Sequence, residues 1–508
     1  MIAPLHEFDE RKKKLGEMQE MGVQAYPERY ERSHQTQELL KDKKVCDVEE
    51  IKASPKATYS LAGRLTMFRE HGKLSFAHLL DDSGKIQLAF MQDVVGKDEY
   101  VFLQKKMDIG DFIGVKGDLF LTKHGEITLL VCEYTFLGKA LRPLPEKYHG
   151  LQDREKLYRQ RYLDLIANPD TKKRFEFRSN FIRHLREFFW AENFTEVETP
   201  ILTNSASGAL ATPFQTHHNA LDTDVFLRIA PETYLKECII GGFEKVFEIG
   251  RIFRNEGIDP SHLQDFTMLE HYGAYWNFED NIAFTEKMFT YIFEKMGMDL
   301  KINILDRDGT AHSVDFTPSW PRVTLQELIL KDSGIDIEHD NSKEKLMKAI
   351  FDKKIRIEKL ESLGFGNMVD HLYKAVSRPK LIHPTFVTGH PVELSPLSRR
   401  NDTNPNIVDR FQLVVGTWEI VNAFSELVDP IDQAERFNAQ SIAKDAGDHE
   451  AHSKDDDYIK AMEYGMPPIS GSGMGIDRIV AILTQSENLR DVVLFPLMRP
   501  EVGVEEEE

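Results

Sequence analysis

The stretch Val246–Tyr272, VFEIGRIFRNEGIDPSHLQDFTMLEHY, decides how the rest of the chain is read. It begins as an alternating run. Phe247, Ile249 and Phe253 point to one side of a strand, and Glu248, Ile252 and Arg254 to the other. Gly257 and the pair Asp259-Pro260 break the alternation, as a loop does. A second run follows, with Phe266, Met268, Glu270 and Tyr272 on one face. The stretch predicts two antiparallel strands joined by a long polar loop. One hairpin then carries an arginine, a histidine, an aromatic ring and two carboxylates, a set that suits a nucleoside triphosphate. Arg254 offers a planar fork to a phosphate. Glu256 can accept from an exocyclic amine, and Phe266 gives a base a flat face to stack on. The competing reading, for an isolated R-N-E, is an edge hairpin with solvated charges.

Taken together, FRNEG, a loop containing His262, and FTMLE resemble motif 2 of the class II aminoacyl-tRNA synthetases. Two further stretches extend the resemblance. Phe177, Phe181, Leu185, Phe188 and Phe189 recur at helical spacing over Lys172–Ala191, and FTEVETPIL follows as a strand. This helix and strand resemble motif 1, the dimer interface of that class. Asn193 stands where the family usually has glycine, and asparagine tolerates the left-handed conformation that stops a helix. Near the end, GSGMGIDRIVAIL runs from a glycine-rich strand into a helix with Ile476, Ile479, Val480 and Leu483 on one face. With LFPLMRP it resembles motif 3, whose arginine, here Arg478, holds the γ-phosphate.

A length of 508 residues predicts two to four domains. No run approaches the ~20 apolar residues of a membrane span. The charged segment Met1–Glu20 does not read as a signal peptide. Cys46, Cys132 and Cys238 are scattered without zinc spacing, so they read as reduced packing residues of a cytoplasmic protein. A formal net charge of -20 argues against indiscriminate nucleic-acid binding. It leaves room for a tRNA on a local patch. Residues 137–161 carry Lys/Arg at 139, 142, 147, 154, 156, 159 and 161, against acids at 146, 153 and 155. The tail Glu505–Glu508 reads as a solvated acidic segment.

The expected organisation is α+β. Residues 1–57 form an N-terminal helical segment in which Phe8–Gly22 is a helix with a basic side, Arg11–Lys14, open to phosphate contact. Residues 58–138 hold five β-rich runs (YSLAGRL, LSFAHLLD, KIQLAFM, DFIGVKGDLFLT, EITLLVCEYTFL), with an OB-fold barrel as the leading candidate. GRLTMFREHGKLSFAHL with GKIQL resembles the anticodon-binding domain of class IIb synthetases. That resemblance assigns Arg69, Phe76, Gln87 and Glu126 to the anticodon. Residues 139–165 read as a linker. Residues 166–508 read as the catalytic domain, an antiparallel sheet flanked by helices, with a helical insertion at about 318–380.

Across nearly its whole length the chain resembles the bacterial-type lysyl-tRNA synthetases. The resemblance implies a homodimer that uses ATP, Mg²⁺, L-lysine and tRNA(Lys). It gives Arg254 and Arg478 the catalytic role and assigns ATP to these two with Glu256, His262, Phe266 and Glu419. It assigns lysine to Gly208, Glu232, Glu270, Tyr272, Asn422, Phe424, Glu426 and Gly473. The metal falls to Glu419 with Gln412. Strict alternation separates Glu419 from Asn422, Phe424 and Glu426, so a site using all four requires a β-bulge near Val421. Gln412 replaces the family's usual glutamate and Trp418 its usual arginine. Gln412 offers Mg²⁺ a carbonyl oxygen without charge, which leaves the metal count open. The rival expectations are an aspartate or asparagine ligase of the same subclass and a tRNA-binding paralogue impaired in catalysis. The pair His217-His218 reads as structural, because adjacent histidines point apart.

Overall fold

The computed structural model describes residues 5–42, 44–144, 153–205, 208–209, 211–257, 259–445 and 455–500. The expected acidic tail and the middle of the expected linker lie outside these residues. The chain divides into two compact units, Met1–Gln152 and Asp153–Glu508.

In the first unit the five expected β-runs are the strands Tyr59–His71, Leu74–Leu80, Lys85–Met91, Phe112–Leu121 and Ile127–Gly138. They close into a barrel in the order 1-2-3-5-4, the five-stranded closure of an OB-fold. Alternation fills its interior with Leu61, Leu65, Ala77, Leu79, Leu88 and Val131, all fully buried. The N-terminal helix Leu5–Glu20 packs on this barrel, and its basic side is only partly free. Arg11 is buried and donates to the carbonyls of Ile109 at 3.0 Å and Ala140 at 3.1 Å. Lys14 pairs with Asp108 at 2.6 Å. Lys12 and Lys13 remain exposed. The start of the expected linker also belongs to the barrel, because buried Lys139 pairs with Asp111 at 2.8 Å.

The second unit is built on an eight-stranded sheet. Its middle runs Thr385–Pro391, Ile407–Val415, Trp418–Ser425, Ile469–Gly475, Asp265–Ala274, Lys245–Phe253, all antiparallel neighbours. Helices Pro169–Ala191, Phe278–Lys295 and Ile476–Leu483 cover one face. There Phe181, Leu185, Phe188 and Phe189 meet Phe247, Leu269, Val421 and Ile479 in one apolar core. The long helix ends as expected, with Asn193 at φ 64°. The Phe194 amide returns to the Phe189 carbonyl at 3.0 Å, which satisfies a carbonyl that the last turn leaves open. The insertion consists of helices Leu325–Ser333, Lys343–Asp352 and Phe365–Val376. Their core, with Ile329, Leu346, Leu372 and Tyr373, packs on Val387 and Val414 of the sheet.

Candidate active site

The hairpin carries the site because of its register. Glu248 pairs with Glu270, Gly250 with Met268 and Ile252 with Phe266, so the even positions of both strands share one face. The odd positions Phe247 and Leu269 are buried in the helical core. A cleft opens over the even face, walled by Arg254, Phe266, Met268, Glu270 and Tyr272.

The bulge required by the sequence is present. Leu413 pairs with Val421 and Val414 with Glu419, which leaves Ile420 as the extra residue. The shift brings Glu419 to the same cleft as Asn422 and Phe424. Trp418 is 6 % exposed and lies in the apolar core, away from the cleft.

Asp477, at the start of the helix Ile476–Leu483, ties the three motifs together. It accepts from the Thr267 amide at 2.7 Å and pairs with Arg178 of the long helix, whose other nitrogen donates to Thr267 Oγ1 at 2.9 Å. The next residue, Arg478, donates to the Glu419 carbonyl at 3.1 Å. Burial pushes the Arg478 guanidinium below its ordinary value, Glu419 holds it up, and neighbouring Arg254 adds to the depression. Arg254 lies 5.2 Å from the centroid of the Phe266 ring and donates only weakly to the Ile229 carbonyl, at 3.4 Å. Its fork is therefore open to a ligand. In the hairpin loop, Asp259 accepts from the Ser261 amide at 2.6 Å and from His262 Nδ1 at 2.8 Å. A carboxylate can only accept, so Nδ1 carries the hydrogen and Nε2 is the free nitrogen. Burial works to raise Asp259, but Ser261 and His262 outweigh it and hold the carboxyl at about 2.

A second part of the cleft is rich in buried carboxylates. Glu232 opens the helix Glu232–Ile240 and is 7 % exposed. Gly208, at φ +89°, lies against it, and a Cβ there would come within 3.0 Å of Glu232 Cβ. Glu270 is 4 % exposed and accepts a long hydrogen bond from the Tyr272 hydroxyl at 3.4 Å. Burial and then the charge of Glu232 push Glu270 up to about 8, against the pull of Arg254. The Tyr272 ring lies against the next strand at Gly471, where a Cβ would meet it at 2.1 Å. Asn422 Oδ1 accepts from Arg410 Nε at 2.8 Å, which turns the amide nitrogen of Asn422 away from that guanidinium.

The cleft is also lined by Glu256, His262, Gly473, Gly208 and Glu232. Two expected residues stand elsewhere. Glu426, 1 % exposed, lies just past the strand end, pairs with the Lys236 ammonium at 2.5 Å and is not among the residues that wall the cleft. Gln412 lies in the cross-strand row Val387–Gln412–Asn422, at the seam between the insertion's core and the cleft, and does not line the cleft. Sequence reasoning misses Lys236, Asp477 and Arg410, and reads Asp259 only as a loop signal. A signal existed for Lys236, because it follows Glu232 by four residues and so shares its helix face.

On the barrel, Phe76 and His78 alternate with the buried Ser75, Ala77 and Leu79, so they face outward. Arg69 pairs with Phe76, and Gln87 with His78 and Thr128. Gln87 donates to Glu126 at 2.8 Å and accepts from Thr128 at 2.8 Å. The four expected residues thus share one outer surface, to which His78 is added.

Comparison with known proteins reads the same way. Residues 153–499 match the family described as tRNA synthetases class II (D, K and N), and residues 59–137 match the OB-fold nucleic acid binding domain. The chain belongs to the class II aminoacyl-tRNA synthetases. It is 46% identical over 490 residues to the lysine–tRNA ligase of Pelotomaculum thermopropionicum, covering 96% of this chain and 94% of that one. With the lysine–tRNA ligase of Fervidobacterium nodosum it shares 44% identity over 505 residues, 99% and 96% of the two chains. With that of Thermotoga maritima it shares 42% over 504 residues, 99% and 98%. This synthetase is an enzyme with an N-terminal OB-fold and a class II catalytic domain. No helix among its described residues is long and apolar enough to cross a membrane.

Proposed function

We propose that the chain is a lysine–tRNA ligase. It forms lysyl-adenylate from L-lysine and ATP, and then esterifies the 3′ end of tRNA(Lys). The observation that carries this reading is a single cleft that joins a nucleotide set, Arg254, Glu256, Phe266, Glu419 and Arg478, to a buried carboxylate set, Glu232 and Glu270. An ammonium brought into a dry pocket needs such carboxylates, because an unpaired buried charge is very costly.

In the first step the lysine carboxylate attacks the α-phosphorus of ATP in line. The new P–O bond forms as the bond to pyrophosphate breaks. The nucleophile is already ionised, so no proton need move, and catalysis is positioning plus charge neutralisation. Arg254 holds the α-phosphate and the attacking carboxylate. Arg478 and His262 hold the outer phosphates, and Phe266 and Glu256 hold adenine. Gly208, Glu232, Glu270, Tyr272, Asn422, Phe424 and Gly473 surround the lysine. In the second step the tRNA 3′-hydroxyl attacks the adenylate carbonyl and AMP leaves. Incubation with ATP, radiolabelled pyrophosphate and lysine, asparagine or aspartate tests the reading. Exchange with lysine alone supports it, and exchange with aspartate or asparagine instead would overturn it.

Among the described residues no three His, Cys, Asp or Glu side chains form a metal cluster. The donor set fits Mg²⁺ held by Glu419 together with the oxygens of the nucleotide, the usual habit of this ion. It supplies charge neutralisation at the phosphates. Gln412→Glu adds a carboxylate on the sheet face that carries Asn422 and is expected to lower the Mg²⁺ concentration for half-maximal exchange several-fold. An unchanged Mg²⁺ titration would put position 412 outside the metal site.

The outer surface with Arg69, Phe76, Gln87 and Glu126 supports anticodon binding. Phe76→Ala is expected to lower kcat/KM for tRNA charging about tenfold or more, the worth of one stacked base. Lysine-dependent exchange without tRNA should be unchanged, and a parallel loss there would refute the assignment. Exposed Trp190 and Leu202, beside the motif 1 helix and strand, suit a homodimer, which sedimentation would detect. The unpaired cysteines suit a reducing cytoplasm. Two observations weigh against the rival readings. Trp418 leaves the cleft unobstructed, and Lys236, the cation bonded to Glu232 and Glu426, is already paired and does not await an acidic substrate.

A further inference from the structure

Lys236 is fully buried, yet neither the nucleotide set nor the walls of the cleft include it. Its ammonium lies 2.6 Å from Glu232 Oε1 and 2.5 Å from Glu426 Oε2. The rings of Tyr272, Phe424 and Tyr458 stand 5.8, 5.7 and 5.7 Å away, within cation–π range. The chain has thus seated one of its own lysine side chains in a cage of two carboxylates and three rings. Glu232 belongs to both environments. One side of it faces the cleft and the other holds Lys236. Among the described residues the Glu426 carboxyl oxygens have no partner but this ammonium, which opposes the burial that pushes the carboxyl well above its ordinary value.

We propose that Lys236 is a specificity-determining positioning residue, whose ammonium ties Glu232 to Glu426 and sets both the direction and the charge that the pocket presents to a basic amino acid. The inference rests on the reading of the cleft as a lysine pocket. The buried set comprises three carboxyl groups, Glu232, Glu270 and Glu426, and one fixed ammonium. Without Lys236 the pocket would confront its substrate with all three carboxyls uncompensated, and Glu232 would lose the contact that fixes its rotamer. With Lys236 in place, Glu426 is neutralised from behind. Glu232 is held by one oxygen, with its remaining acceptor capacity turned to the cleft. Burial opposes the charge on Lys236, but the two carboxylates overcome it and keep the group protonated throughout the physiological range. Lys236 is therefore a standing cation within the cage.

A double-mutant cycle of Lys236→Met and Glu426→Gln in the full chain tests this, read by lysine-dependent ATP–pyrophosphate exchange. Lys236→Met is expected to raise the lysine KM at least tenfold and to leave the ATP KM within twofold. Glu426→Gln is expected to raise the lysine KM as well, because the ammonium then leans on Glu232 alone. The double variant should resemble Lys236→Met, since both residues act through one unit. A merely structural role would lower the melting temperature and the active fraction, hence kcat, without moving the lysine KM. If Lys236→Met does not fold, Glu426→Gln and the double variant, in which both buried charges are gone, carry the same test. A lysine KM within twofold of the parent in a folded variant lacking Lys236, or in Glu426→Gln, overturns the proposal, as do effects that simply add. Absence of lysine-dependent exchange in the parent chain is a different failure, and would overturn the lysine reading itself.

Discussion

Arg254→Lys is expected to lower kcat/KM for lysine-dependent adenylate formation about 10³-fold while the protein stays folded. Arg254 has few ties within the protein. It makes no ion pair among the described residues, and its hydrogen bonds to the Ile229 carbonyl are long, at 3.4 Å. Its guanidinium lies over the Phe266 ring, 5.2 Å from the centroid, just past the strand that ends at Phe253. A planar, pre-aimed fork is kept open for a ligand. Lysine in its place keeps the charge but loses the second donor, the plane and the stacking. Loss of one pre-organised donor to developing charge costs about 10²–10³ in rate. Arg254 serves two groups in the proposed reaction, the α-phosphate and the attacking carboxylate, which sets the upper end of that range. Exchange kinetics with a thermal melt as the folding control measure it. A loss below tenfold in folded protein would remove Arg254 from the reaction centre.

What is legible in the sequence follows from the range of each interaction. The hairpin face was legible because its register depends only on alternation and on where the loop begins. The bulge was legible for a related reason, since Glu419 and Asn422 reach one cleft only if a residue is looped out, and Ile420 is that residue. Asn193 was legible because a helix stop is local backbone chemistry. Depth was not legible. The family resemblance puts Gln412 at the metal but says nothing of the seam with the insertion's core, which forms from helices up to 87 positions earlier, as the presence of Leu325 and Val414 in one cluster shows. Glu426 reads as a pocket carboxylate, and nothing local shows that Lys236, from a helix nearly two hundred positions earlier, pairs with it. The basic side of the first helix reads as solvated until Arg11 meets the carbonyls of Ile109 and Ala140. In each case the sequence assigns the side chain to a face correctly and is silent on what a distant segment lays over it.

Lysine binding should tighten as pH rises from 6 to 8, by up to tenfold per unit, and flatten above 8. The cause is Glu270, which burial and the neighbouring charge of Glu232 push up to about 8. Glu248 pushes in the same direction, and Arg254 and Lys236 oppose it. In the free protein at pH 6 to 7 this carboxyl is therefore mostly protonated and cannot pair with an ammonium. An arriving lysine must displace that proton, at a cost that falls as pH approaches 8. The sign for stability is the reverse. A carboxyl raised in the folded state binds more protons there than in the unfolded chain. Its contribution to stability is complete below the ordinary value of 4.5 and is lost as pH rises through about 8. Saturating lysine removes the mismatch, so the gain in melting temperature on adding lysine should be larger at pH 8 than at pH 6. Calorimetry in buffers of different ionisation enthalpy should register close to one proton released per lysine bound at pH 7. Glu270→Gln, which cannot titrate, should bind lysine more weakly, release no proton and show no slope between pH 6 and 8. If the parent protein binds lysine with equal affinity at pH 6 and 8, Glu270 is ionised before the substrate arrives, and the pocket's charge must be balanced by another group.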